Sequence, residues 1–240
     1  MIGISVMLTL SIIIPFFNED ENILKLLDEV KSSLGDNPEY LEVLAINDGS
    51  TDSTEKILHE CQENYPALRI ISFKENAGQS AAMVCGFLNA KGRYVVTLDG
   101  DGQNDPADIP GILKMLDEYE VVCGIRKNRK DSISKRWGSK LANRIRRKVT
   151  HDSIIDIGCS LKGFHREPLE ALIFFNGVHR FLPILLEMEG CSIAQVEVNH
   201  RPRINGVSKY TNWGRLLKTW QDLLGVRWLQ ARKLSYKIKE

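Results

Sequence analysis

Short runs of Val, Ile and Leu alternate through the first half of the chain with longer stretches whose apolar residues recur every three or four positions. Leu10–Ile14, Leu41–Ile46, Leu68–Ser72, Tyr94–Leu98 and Glu120–Cys123 are four to six residues long and mostly β-branched or Leu, the pattern of strands buried on both faces. Between them, Asp20–Leu34, Ser53–Glu63, Gln79–Ala90 and Pro106–Tyr119 carry the helical spacing. Asp52 ahead of the second stretch, and Asp105 followed by Pro106 ahead of the fourth, are helix-start signals. The pattern predicts a βαβα unit, a mostly parallel sheet with helices on both faces.

Beyond residue 125 the alternation ends. Arg126 to Lys148 holds eleven Lys or Arg against one acid, Asp131. This block reads either as a solvated basic helix or as a surface for anionic lipid. A strand near Cys159–Phe164, a helix over Phe181–Glu189 and a strand over Ser192–Val198 follow, then the polar loop Asn199–Thr211. The tail sets Trp213, Leu216, Leu217, Trp220, Leu223, Leu224 and Trp228 on one helical face, flanked by Arg215, Lys218 and Arg227. It either packs on the domain or lies at a membrane interface, where Trp and basic residues are at home.

Composition narrows the class. At 240 residues, 43% hydrophobic and 26% charged, the chain suits a single large globular domain. A net charge of +1 gives no global attraction to nucleic acid. Five scattered cysteines without a C-x-x-C pair suggest neither zinc knuckle nor disulfide framework, and a reducing cytoplasm is the expected home. Val6–Phe17 is too short to cross a bilayer and lacks signal-peptide features, so the expected membrane contact is peripheral, on the cytoplasmic face.

The chemistry concentrates where strands end. Asp99-Gly100-Asp101-Gly102-Gln103 follows the fourth strand, at the edge where parallel sheets bind ligands. Two carboxylates and an amide oxygen suit a hard divalent cation that neutralises a diphosphate; the alternative reading is an acidic turn that caps the next helix through Asp105. Pro15-Phe16-Phe17-Asn18-Glu19 and Asn47 to Asp52 are two more polar clusters on that edge, with Phe16 as a candidate wall for a base or sugar. Neither G-x-G-x-x-G nor G-x-x-x-x-G-K-[ST] occurs, which argues against a dehydrogenase or P-loop nucleotidase.

The segments I-I-I-P-F-F-N-E (12–19), I-N-D-G-S-T-D (46–52), N-A-G-Q-S-A-A (76–82) and L-D-G-D-G-Q-N-D-P (98–106) together closely resemble family-two inverting glycosyltransferases of the GT-A fold. D-I-G-C-S-L-K-G-F (156–164), H-R-F-L-P (179–183) and H-R-P-R-I-N-G-V-S-K-Y (200–210) look like the branch holding dolichol-phosphate mannosyltransferase and bacterial polyprenyl-phosphate glycosyltransferases. The resemblance implies a Rossmann-like GT-A domain over residues 1–211, with the basic tail over 212–240. It implies that Pro15, Asn18, Glu19 and Asp48 hold the donor nucleoside, and that Asn76 to Gln79, Gly78 among them, lie beside its ribose and sugar. Asp99, Asp101 and Gln103 match the motif for Mg²⁺ or Mn²⁺ and the diphosphate. Arg126 matches an arginine near the reacting phosphates, and Arg201, Arg203, Ser208 and Lys209 match a late basic loop over donor and acceptor phosphates.

The implied reaction moves a sugar from a nucleotide-sugar, on GDP or UDP, to a polyprenyl phosphate with inversion. The leaving diphosphate needs cations, and a phosphate nucleophile with a second pKa near 6 needs no general base. Hydroxyl-glycosylating relatives carry an acid where this chain has Val178-His179-Arg180, so its absence favours a phosphate acceptor. A glycan hydroxyl acceptor, a nucleotidyltransferase and a non-catalytic nucleotide-sugar-binding subunit stay open. So do a separate membrane-anchor protein and a homo-oligomer. Cys159, without a paired His, reads as a small buried residue.

Overall fold

A computed structural model describes residues 8–127, 133–202 and 212–234. Seven strands form one sheet: β1 (Leu10–Phe16), β2 (Leu41–Asn47), β3 (Leu68–Ser72), β4 (Tyr94–Thr97), β5 (Val121–Arg126), β6 (Lys162–His165) and β7 (Ile193–Val198). Their order is β3-β2-β1-β4-β6-β5-β7. The helices are α1 (Ile23–Leu34), α2 (Thr54–Cys61), α3 (Gln79–Asn89), α4 (Ile109–Leu116), α5 (Ile133–Thr150), α6 (Arg166–Glu170), α7 (Leu182–Met188) and α8 (Asn212–Arg232).

The period-two direction of strand side chains builds two cores, one on each face of the sheet. Ile12, Ile14 and Phe16 of β1 face α1, α2 and α4, meeting Leu26, Leu58 and Ile112. Ile13, between them, turns to the other face with Val95, Cys123 and Phe164, under Met83, Leu185 and Val226 of α3, α7 and α8. Asp105 caps the 3₁₀ turn Pro106–Asp108 through the Ala107 N–H at 3.1 Å. Asp52 does the same for the Thr54 N–H at 2.9 Å, at the start of α2.

Two topological facts place the site. The order reverses between β1 and β4, opening a crevice past their carboxyl ends, which is where α/β sheets bind ligands. Strand β6 runs antiparallel to β4 and β5, with Lys162 paired to Thr97 and to Cys123. The reversal therefore brings the first residue of β6 to the edge where β4 ends.

From Ile133 on, the basic block is the helix α5, one of the two readings its charge allowed, although Arg146 within it is buried. The structure differs from the sequence reading in two places. The short α6, only five residues, has no periodicity to announce it. The tail's expected single apolar face is split: Leu223 and Val226 are buried, whereas Trp220, Leu224 and Trp228 are exposed. Helix α8 thus packs on the domain and keeps a second apolar stripe outside.

Candidate active site

The β1 and β2 loops are laced together before any ligand is considered. Asn18, in a left-handed conformation at φ 51°, accepts from the Thr51 N–H at 2.7 Å. Its own N–H donates to Ser50 Oγ at 3.0 Å. The Glu19 N–H donates to Thr54 Oγ1 at 3.0 Å, and the Glu19 carboxylate accepts from Asn22 Nδ2 at 2.7 Å. These contacts fix the two loops as one wall.

Asp48 is the hub of the wall. Its carboxylate accepts from the Ala77 N–H at 2.8 Å, from the Gly78 N–H at 3.0 and 3.1 Å, and from Asn76 Nδ2 at 2.9 Å. Burial pushes its pKa up, and these donors pull against that shift. Asp48 thereby shapes the 76–79 turn that opens α3. Gly49 permits the approach: at φ +64°, a Cβ there would lie 2.3 Å from the Glu75 carbonyl carbon.

Helix α3 then presents Gln79, whose Nε2 donates to Asp99 Oδ1 at 3.0 Å. Asp101 accepts from the Gln103 N–H at 3.1 Å, closing the turn. Gly100 sits on Phe16, where a Cβ would meet the ring at 2.7 Å and the Pro15 carbonyl at 2.8 Å. Phe16 is fully buried in the core, so it cannot wall an open pocket. That expectation is corrected: Phe16 is the floor that forces glycine between the two aspartates.

Asp99 is the most strongly perturbed of these acids. Burial, and then the like charge of Asp101, push its carboxyl up to about 6, against weaker pulls from Ser160, Lys162 and Arg126. Two adjacent carboxylates so placed fit a divalent cation, whose charge would remove the repulsion. No group of three or more His, Cys, Asp or Glu forms a metal cluster among the described residues. An ion held by Asp99 and Asp101 would need its remaining oxygens from substrate and water, as Mg²⁺ sites commonly do.

The expected cations have other partners. Arg126 binds Asp156 through Nε at 2.7 Å and Nη2 at 2.8 Å. Arg201 is clasped by Glu29 at 2.8 Å and Asp105 at 2.7 Å, joining α1, the Asp99 loop and the segment after β7. In this structure its guanidinium braces the loop and does not face the Asp99 pocket. Gln103 is likewise turned away from Asp99, its Nε2 donating to the Arg201 carbonyl at 3.4 Å. Arg203, Ser208 and Lys209 lie outside the described residues.

Beside Asp99 opens a cavity of about 520 Å³ that the sequence did not reveal. Met83, Ile157, Phe181 and Leu182 make it apolar, and it runs out between α5 and α8 at Ile145 and Trp220. Gln79 and Asp99 are its only residues shared with the expected donor set. Apart from Asp99, the charged and imidazole side chains of its lining are basic: Arg146, Lys162, His179 and Arg180. His179 Nδ1 lies 2.7 Å from Ser80 Oγ, and Arg180 reaches Thr219 at 3.1 Å and Asp222 at 3.5 Å on α8. Lys162 was hidden because a strand running against its neighbours is not legible from an apolar run. Cys159 is buried, and burial pushes its thiol up to about 11, as suits an inert core residue.

This parallel-sheet crevice, with paired aspartates beyond β4, defines a nucleotide-diphosphosugar transferase architecture. Residues 11–173 match the family model "Glycosyl transferase family 2", and the chain belongs to that family. It is 35% identical over 233 residues to dodecaprenyl-phosphate galacturonate synthase of Rhizobium johnstonii, covering 94% of this chain and 68% of that one. It is 32% identical to an undecaprenyl-phosphate 4-deoxy-4-formamido-L-arabinose transferase of Klebsiella pneumoniae, covering 89% and 66%. The chain thus spans about two thirds of the length of these curated relatives. In fold it is similar to glucosyl-3-phosphoglycerate synthase of Mycobacterium tuberculosis solved with Mn²⁺, UDP and phosphoglyceric acid: TM-score 0.68, 18% identity, 95% and 80% coverage. It is also similar to a Pyrobaculum calidifontis mannosyltransferase solved with GDP-Man and Mn²⁺: TM-score 0.66, 21% identity, 95% and 65% coverage. These are GT-A folds, and this chain shares that architecture.

Proposed function

We propose that the protein transfers a sugar from a nucleotide-sugar to the phosphate of a polyprenyl phosphate, with inversion at the anomeric carbon. The observation that carries this reading is the cavity beside Asp99: largely apolar, lined by four basic side chains, and open between α5 and α8. A prenyl chain fits the apolar lining and a phosphate fits the basic side chains. The names of the curated relatives, transferases and a synthase of prenyl-phosphate sugars, support the same acceptor.

On this reading Asn18, Glu19, Asp48 and the 76–79 turn form the donor wall, and Asp99 and Asp101 hold Mg²⁺ or Mn²⁺. The ion supplies charge stabilisation for the departing diphosphate. An acceptor phosphate oxygen forms the new bond to the anomeric carbon while the bond to the diphosphate oxygen breaks, releasing a nucleoside diphosphate. Asp99 is the only carboxylate among the described residues lining the cavity, so no second acid stands ready to deprotonate a hydroxyl. A phosphate, largely dianionic at neutral pH, needs none. Arg203, Ser208 and Lys209 are assigned to the phosphates by resemblance.

The acceptor's location explains α8. Trp220, Leu224 and Trp228, spaced four apart, expose an apolar stripe beside the cavity mouth, and Arg144, Arg147, Lys148 and Arg227 are exposed on the same two helices. Such a face suits peripheral contact with an anionic bilayer. No helix among the described residues is long and apolar enough to cross a membrane. The test is transfer from radiolabelled UDP- and GDP-sugars, with Mn²⁺, to a detergent-solubilised prenyl phosphate and to glycan hydroxyl acceptors. Labelled prenyl-phosphate sugar is the expected product, and transfer confined to hydroxyl acceptors would overturn the reading.

A further inference from the structure

We propose that Lys162 is the anion receptor of the cavity, its ammonium meeting an ionised oxygen of the acceptor phosphate. This deepens the phosphate-acceptor reading and rests on it. Four basic side chains line the cavity, and three already have ion-pair or hydrogen-bond partners. Arg146 lies 3.3 Å from Asp152, Arg180 lies 3.5 Å from Asp222, and His179 is held on Ser80.

Lys162 differs from the two arginines in having no ion-pair partner among the described residues, although Arg146 also keeps two buried donors, Nε and Nη1, without a hydrogen-bond partner there. Lys162 is 4% exposed. Its one hydrogen bond among the described residues goes to the Cys159 carbonyl. An ammonium carries three donors, so two are left for something else. Buried charges persist when a counter-charge or a function holds them, because desolvating an ion is expensive. Here the nearby negative charge is Asp99, whose carboxyl Lys162 draws downward, and Asp99 is committed to the cation of the donor site.

Position selects the acceptor over the donor. Lys162 heads β6 at the sheet edge, paired with Thr97 two residues before Asp99. It opens onto the cavity together with Ser160 and Phe181, whereas Asn18, Asp48 and Asn76 of the donor wall do not line that cavity. A phosphate at Lys162 would thus share the cavity with Asp99, with its chain leaving past Ile145 and Trp220.

The experiment compares wild type with Lys162→Met and Lys162→Arg in detergent, with Mn²⁺ present. Titration with a prenyl phosphonate in the absence of any nucleotide-sugar reads acceptor binding without turnover, since no sugar is present to be transferred. Titration with UDP and GDP reads the donor site. Lys162→Met should weaken phosphonate binding and raise the acceptor KM roughly thirtyfold, the order expected for a lost charge-assisted hydrogen bond. Nucleotide binding should change less than about twofold, Lys162→Arg should recover most of the loss, and the unfolding temperature of Lys162→Met should not fall. Competition by inorganic phosphate separates a free anion from a lipid headgroup, since equal potency with the phosphonate would overturn the lipid assignment at Lys162. Weakened nucleotide binding with unchanged phosphonate binding would overturn the proposal by placing Lys162 on the donor side. A wild-type chain that binds nucleotide but not phosphonate would sink the phosphate-acceptor reading itself. Equal phosphonate binding by wild type and Lys162→Met would sink the Lys162 assignment alone.

Discussion

Glu42 and Asp99 are acids at opposite ends of the same sheet, and their surroundings differ in kind. At the amino end of β2, Glu42 is 3% exposed and accepts from Ser11 Oγ at 2.5 Å, from the Lys91 N–H at 2.6 Å and from Arg69. At the carboxyl end of β4, Asp99 has Gln79 as a donor and Asp101 as a like-charged neighbour. A buried acid with all its acceptors filled holds structure together. One left beside a like charge, at a mouth open to solvent, is kept for a ligand.

Removing a carboxylate at either end should therefore have opposite signatures. Asp101→Ala should lower Mn²⁺-supported transfer by roughly a thousandfold, the scale of losing an electrostatic stabiliser of a departing group, with circular dichroism unchanged. Wild-type turnover in that variant would remove the aspartate pair from catalysis. Glu42→Ala should instead cost about 3 kcal/mol of stability in urea unfolding, because Arg69, Ser11 and the Lys91 N–H lose their shared acceptor. Its turnover per folded molecule should stay near wild type, and a catalytic defect without a stability loss would erase the contrast.

A third test uses protons. The Asp99 carboxyl titrates near 6 in the metal-free fold against an ordinary 3.8. Between those values the folded chain holds a proton that the unfolded chain has lost. This group therefore lowers stability as pH rises toward 6, and the cost stays constant above it. A divalent ion needs the ionised form and relieves the cost. The rise in unfolding temperature produced by Mn²⁺ should thus be smaller at pH 5 than at pH 7, by roughly 3 °C for a chain of this size. Equal shifts at both pH values would mean that the ion binds away from Asp99.

The same contrast shows what the sequence could and could not disclose. The parallel strands, the four helices among them and the donor edge were legible because each follows local rules: buried apolar runs, helical spacing, turn residues at strand ends. Asp105 announced its own capping role. The cavity was not legible, because its parts come from six separate segments joined only by the fold. Lys162 was hidden by the antiparallel entry of β6, and the partners of Arg126 and Arg201 by pairings across 30 and 172 residues. Phe16 looked like a ligand wall because its neighbours in sequence are polar, whereas strand alternation sends it into the core.

The smallest expected effect bears on the acceptor. His179 stands in the cavity on Ser80, within the segment 178–180 that the resemblance matches to the acid of hydroxyl-glycosylating relatives. An imidazole there could take a proton from a hydroxyl, but a phosphate acceptor brings none that must be removed. His179→Asn keeps a polar side chain of similar reach, so transfer to a prenyl phosphate at pH 7 should fall less than about tenfold, and its pH profile should keep the wild-type shape. General-base catalysis is commonly worth a hundredfold or more. A loss on that scale, with a lost acidic limb, would make His179 the base for a hydroxyl and move the acceptor from the lipid phosphate to a glycan.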